Sequence, residues 1–131
     1  MDVANFTEKS KEAITTASNI ATQNNNPEIK DCHMVAAMIE DKSGVITMLL
    51  KKMEINVESL RTLLQEEINK MPKVSGNVSL RFSLEVEKAL DEAEKQAKSM
   101  KDEFISVEHL MLGLIENATE ALRRILKTYK M

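Results

Sequence analysis

The chain has no tryptophan, one tyrosine and three phenylalanines, so aromatics make up only 3% of its 131 residues. Its core must therefore come from Leu, Ile, Val, Ala and Met. Three Gly and two Pro are too few for the many tight turns of a sandwich or barrel. A single cysteine, Cys32, forms no internal disulfide, and nothing points to an oxidising compartment. No apolar run approaches the roughly 20 residues of a membrane-spanning helix. The opening Met1-Asp2-Val3-Ala4-Asn5 lacks the basic and apolar regions of a secretory signal. Eighteen basic residues against twenty-one acidic ones give a net charge of -3, the wrong sign for neutralising nucleic-acid phosphates. The expectation is a soluble, cytoplasmic chain with neither nucleic acid nor membrane as partner.

Catalytic signatures are missing too. The glycines Gly44, Gly76 and Gly113 belong to no Walker or dinucleotide loop. A di-iron bundle needs Glu-x-x-His motifs, and neither His33 nor His109 has Glu three residues before it. Cys32 and His33 are adjacent, and adjacent side chains on a helix diverge by about 100°. The expectation is a binding module rather than an enzyme, with no metal and no cofactor of its own.

What is present is an internal repeat. Shifted by 76 positions, residues 6–53 align with 82–129 without a gap, and ten of the 48 pairs are identical. Phe6 falls on Phe82; Ala13, Ala17 and Ala21 fall on Ala89, Ala93 and Ala97; Ile29 falls on Ile105 and His33 on His109. A gapless register of this length predicts two copies of one structural unit, one over about 4–70 and one over about 81–131. The segment 71–80, with Pro72 and Gly76, links them within one domain.

Each copy reads as helices. Phe6, Ala13, Ala17 and Ala21 recur at helical spacing, as do Phe82, Val86, Ala89, Leu90, Ala93 and Ala97. An Ala at every fourth position makes a flat stripe that lets a neighbouring helix come close. Asn5 followed by Glu8 suggests a capping box at the first helix, and Asn24-Asn25-Asn26-Pro27 ends it. Shorter helices follow at about 32–40 and 107–116, the latter capped by Ser106, then at about 45–53 after Gly44, with a counterpart at 119–129. A helix over about 57–70, capped by Asn56, carries Val57, Leu60, Leu64 and Ile68 on one face. Its partner in the second copy would begin near residue 133, so the expectation is a domain excised from a longer chain. No stretch alternates with period two, and no sheet is predicted. The fold class is all-α: a pseudo-twofold duplicated four-helix repeat of roughly seven or eight helices. The repeated histidines fit a structural role, one imidazole fixing one helix start per copy. The seven internal methionines fit gap-filling in the core.

The doubled pattern Phe6-Thr7-Glu8 … Ala13 … Ala17 … Ala21 … Ile29 … His33-Met34, recurring as Phe82-Ser83 … Ala89 … Ala93 … Ala97 … Phe104-Ile105-Ser106-Val107-Glu108-His109-Leu110, resembles the amino-terminal domain of Clp ATPases. The link Ile68-Asn69-Lys70-Met71-Pro72-Lys73-Val74-Ser75-Gly76 is similar to that of the ClpB-type AAA+ disaggregases, and Asp102-Glu103-Phe104-Ile105-Ser106 also fits. The resemblance covers residues 4 to 131. It implies a domain that gives unfolded or aggregated polypeptide a first foothold on an ATP-driven ring absent from this chain. ATP and Mg would belong to the parent's ATPase modules. The parent would be a hexameric stress-response chaperone working with the DnaK system.

The resemblance also implies polypeptide-binding positions: Thr7, Leu90, Asp102, Glu108 and His109. A hydroxyl and carboxylates around an apolar floor would favour basic segments. Glu92 and Gln96 stand where ClpB-type relatives often show leucines, which implies weaker binding of purely apolar segments. A stand-alone Clp-repeat adaptor is the alternative reading. So is a ClpC-like phosphoarginine domain, which would place acidic residues before both histidines; here Glu108 fits one place and Cys32 occupies the other.

Overall fold

A computed structural model describes residues 4–76 and 79–131; Met1 to Val3 and two residues of the link lie outside the described residues. The described elements run α1 (Glu8–Gln23), β1 (Glu28–Ile29), α2 (Asp31–Glu40), α3 (Val45–Lys52), α4 (Val57–Lys70), β2 (Arg81–Phe82), α5 (Leu84–Ser99), α6 (Val107–Glu116) and α7 (Glu120–Thr128). The domain is all-α. Helices α5 and α6 begin and end 76 residues after α1 and α2, the shift found in the sequence.

The helix ends repeat at the same interval. Asn25 and Lys101 are left-handed, with φ of 57° and 60°, and so are Glu54 and Lys130, at 62° and 60°. After each such residue the next amide reaches back over the last turn: Asn26 to the Ala21 carbonyl, Asp102 to Ala97, Ile55 to Leu50 and Met131 to Leu126. This is the Schellman arrangement, which satisfies carbonyls left free at a helix C-terminus. The Asn24–Asn26 run therefore stops α1 through a left-handed Asn25, a conformation Asn tolerates better than most residues.

Among the described residues the helix starts are capped in five places by side chains that accept an amide three residues on: Thr7, Asn56, Ser83, Ser106 and Thr119. The first of these corrects the sequence expectation. Thr7, not Asn5, caps α1, because Asn5 lies in a turn ahead of the helix, where its carbonyl accepts the Ile105 amide at 2.8 Å.

The Ala stripes pack as expected. Ala17, Ala21 and Ala93 are at most 1% exposed, and Ala97 is buried. Helix α1 packs on α2, α5 on α6, and α4 lies against both α2 and α7. Met34, Met38 and Met111 fill the core, whereas Met48, Met53 and Met100 face solvent, so the methionines divide between packing and surface.

A two-stranded sheet is present where none was predicted. Ile29 pairs with Phe82 in a parallel ladder, and Phe6 pairs with Ile105 in an isolated parallel bridge. Each is only one or two residues long, too short for alternation to show in the sequence.

Candidate functional site

The two histidines are built alike. His33 Nδ1 accepts the Lys30 amide at 2.8 Å, and its Nε2 lies 2.9 Å from Asn26 Oδ1. His109 Nδ1 accepts the Ser106 amide at 2.9 Å, and its Nε2 lies 2.9 Å from Asp102 Oδ2. Because each Nδ1 accepts a backbone N–H, the proton sits on Nε2 and is donated to Asn26 or Asp102, which are themselves 76 residues apart. Burial, helped by Lys30, pushes His33 down to about 4, so its ring is neutral near pH 7. Both rings are buried and have both nitrogens engaged, leaving nothing to offer a ligand or metal. Among the described residues, no His, Cys, Asp and Glu group is arranged to hold a metal ion. Cys32 is fully buried, and burial together with the Asp31 carboxylate pushes its thiol far up, so it is not a nucleophile.

A groove of about 650 Å³ lies where the two copies meet. Ala13 of α1, Ala37 and Met38 of α2, Val45 and Ile46 of α3 and Val107 of α6 give it an apolar floor. Its rim carries Thr7, Lys9, Glu12, Glu40, Asp41 and Glu108, four carboxylates against one ammonium. Glu108 stands in the first turn of α6, where the helix dipole favours a carboxylate. Thr7 and Glu108, a hundred residues apart in sequence, share this groove because Thr7 donates its amide to the Ile105 carbonyl at 3.0 Å. Ser10 Oγ donates to the same carbonyl at 2.9 Å.

The other candidates lie elsewhere. Asp102 is surface-exposed but engaged with His109, and does not line the groove. Leu90, on the buried face of α5, is 1% exposed. His109 is 4% exposed with both nitrogens used. Leu90 and His109, both named from the resemblance, are buried and do not line this groove. Glu92 accepts a hydrogen bond from Gln96 at 3.2 Å on α5, also away from the groove.

The pseudo-equivalent place in the second copy is filled. Asp31, 76 residues before Val107, accepts the Thr119 amide at 2.7 Å and the Thr119 hydroxyl at 3.1 Å. Burial raises the Asp31 carboxyl above its ordinary range, and the bonds from Thr119 partly offset this. Behind it, Gly113 lies so close to α5 that a Cβ would collide with the Ala89 carbonyl. The first copy has Ala37 at that position. One methyl holds α1 and α2 apart where α5 and α6 close together.

Sequence reasoning missed Lys9, Glu12, Glu40 and Asp41. Each reads as an ordinary solvated charge, and only the assembled groove brings them together.

An all-helical duplicated domain with a groove where its copies meet defines the structural class, and a family match places the chain within it. The chain belongs to the Clp repeat (R) N-terminal domain family, whose model matches residues 5–129. It is 33% identical over 135 residues to the chaperone protein ClpB of Clostridium tetani, covering 100% of this chain and 16% of that protein. It is 34% identical over 116 residues to ClpB of Rhodopirellula baltica, covering 88% of this chain and 13% of the relative. The chain thus spans about a sixth of the length of such relatives. The Hsp104 N-terminal domain from Candida albicans shares the fold with a TM-score of 0.86 at 23% identity, over 97% of this chain and 83% of that one. A ClpV N-domain in complex with a VipB peptide shares it with a TM-score of 0.77 at 14% identity, over 98% and 81% of the two chains. No helix among the described residues is long and apolar enough to cross a membrane.

Proposed function

We propose that the chain is the substrate-recognition domain of a ClpB-type disaggregating chaperone. It binds unfolded or aggregated polypeptide in the groove between Thr7 and Glu108 and delivers it to an ATP-driven ring carried by the rest of the parent protein. The observation that carries this reading is the groove itself: an apolar floor rimmed by carboxylates from both copies, suited to a segment that mixes apolar and basic side chains. The ClpV N-domain's complex with a VipB peptide supports peptide capture as a use of this fold. In this reading the chain neither binds nor hydrolyses ATP; nucleotide and Mg belong to the parent's hexameric modules, and the DnaK system is their partner in the cytoplasm. The buried Cys32, standing where a second acidic residue would be needed, weighs against the ClpC-like phosphoarginine alternative.

The test is titration of an unfolded client into wild type, Thr7→Ala and Glu108→Ala, beside melting curves. Glu108→Ala should weaken binding with little change in melting, and binding of a basic client should weaken with salt, since exposed charges are screened within about 8–10 Å. Thr7→Ala should also cost about 1 kcal/mol of stability, because Thr7 caps α1. Full client affinity in both variants overturns the reading.

A further inference from the structure

The single ammonium on the groove rim stands between its carboxylates. Lys9 Nζ lies 3.4 Å from Glu12 Oε2, one turn along α1, and 3.8 Å from Asp41 Oδ2, in the turn between α2 and α3. The second of these pairs spans the groove from α1 to the α2–α3 turn.

The Asp41 carboxylate does not depend on Lys9 for its position. Its Oδ1 accepts the Ser43 amide at 3.2 Å and the Ser43 hydroxyl at 3.1 Å. Its carbonyl accepts the Gly44 amide at 2.9 Å and the Thr47 hydroxyl at 2.9 Å. Gly44 packs so closely that a Cβ there would sit 3.1 Å from Asp41 Cγ. The turn therefore presents Oδ2 to the groove whether or not a cation is there. Lys9, by contrast, is held only by exposed ion pairs, its side chain 70% exposed, and such pairs are weak.

The duplication supplies an internal control. The positions 76 residues on from Lys9, Glu12 and Asp41 are Glu85, Lys88 and Asn117. The arrangement is not a property of the repeat; it occurs only where the groove is open.

The geometry points to Lys9 as a built-in occupant of a cation subsite formed by Asp41 and Glu12, the subsite that receives an Arg or Lys side chain of the bound polypeptide once Lys9 swings out. Lys9 thereby sets how strongly the groove prefers basic over neutral segments. This inference rests on the groove being the polypeptide site.

Two peptides that share apolar residues and differ only by Arg or Gln at one position test it. The readout is the ratio of their affinities, measured by fluorescence anisotropy at low salt in wild type, Lys9→Gln, Asp41→Asn and the double variant. Asp41→Asn keeps the Oδ1 acceptor that Ser43 uses. Lys9→Gln should raise the ratio in favour of the Arg peptide about two- to five-fold, the range expected for freeing one exposed charge pair. In the Asp41→Asn background the same substitution should no longer raise it. An unchanged ratio in Lys9→Gln overturns the inference. So does a rise that persists without the Asp41 charge, because it would reflect overall charge rather than occupancy of the subsite. Failure of wild type to bind either peptide overturns the proposed function instead, and this inference with it.

Discussion

Phe6 lies beside Ile105 in a parallel bridge, as Phe82 lies beside Ile29. Under the 76-residue shift Phe6 becomes Phe82 and Ile29 becomes Ile105, so the two pairings are one pairing seen from either side of the pseudo-twofold. The amides follow: Thr7 donates to the Ile105 carbonyl and Ser83 to the Ile29 carbonyl, each at 3.0 Å. Each copy thus closes its first helix start on backbone supplied by the other. The copies are mutually dependent, and the groove at their junction inherits its walls from both.

Gly113→Ala should destabilise the domain. The new Cβ meets the Ala89 backbone carbonyl, which cannot swing aside as a side chain would. Overpacking of this kind costs about 1–3 kcal/mol. Thermal and urea unfolding of the variant measure it; an unchanged midpoint would show that α5 and α6 separate without cost.

Ala17→Leu and Ala93→Leu should each lower the melting midpoint. Both alanines are 0% exposed within the stripes that let helices approach closely. The added side chain has no space to enter, and the cost is again about 1–3 kcal/mol. Midpoints equal to wild type in both variants would refute the close packing.

Acid should unfold the domain partly through His33. Its folded value, about 4, lies below its ordinary 6.5, so in the window between them the unfolded chain binds more protons. Stability contributed by the neutral ring is present above pH 6.5 and is lost as pH falls toward 4. Asp31, with its carboxyl raised by burial, acts in the opposite sense: its ionisation, as pH rises above 3.8, costs stability. The difference between wild type and His33→Gln isolates the histidine. Urea midpoints measured from pH 7 to 4 should fall more steeply in wild type than in the variant. Parallel slopes would exclude the ring as the group responsible.

Much of this was legible in the residues. The gapless identities at Phe6, Ala13, Ala17, Ala21, Ile29 and His33 revealed the duplication, because helices packed through a small-residue stripe leave a periodic signature. Ser106 and Asn56 announced their helix starts, since a short polar side chain before an apolar run has few other uses there. The first helix start was misread. Asn5 looked like a cap, but the helix starts later because Phe6 first pairs with Ile105, a distant partner that no local pattern reveals.

The sequence by itself determined the helices and most of their ends, which depend on contacts within a few turns of chain, and the twofold plan, which the repeated register displays. Thr7 and Glu108, singled out through the family resemblance, line the groove, while Leu90 and His109 are buried and do not line it. Only the tertiary structure decided that one junction is open and the other shut. That choice turns on whether position 37 or 113 carries a methyl group, and on whether Val107 or Asp31 faces the neighbouring turn. Such differences are negligible along the chain. They become decisive only when two helices are close enough that a single carbon atom sets the gap between them.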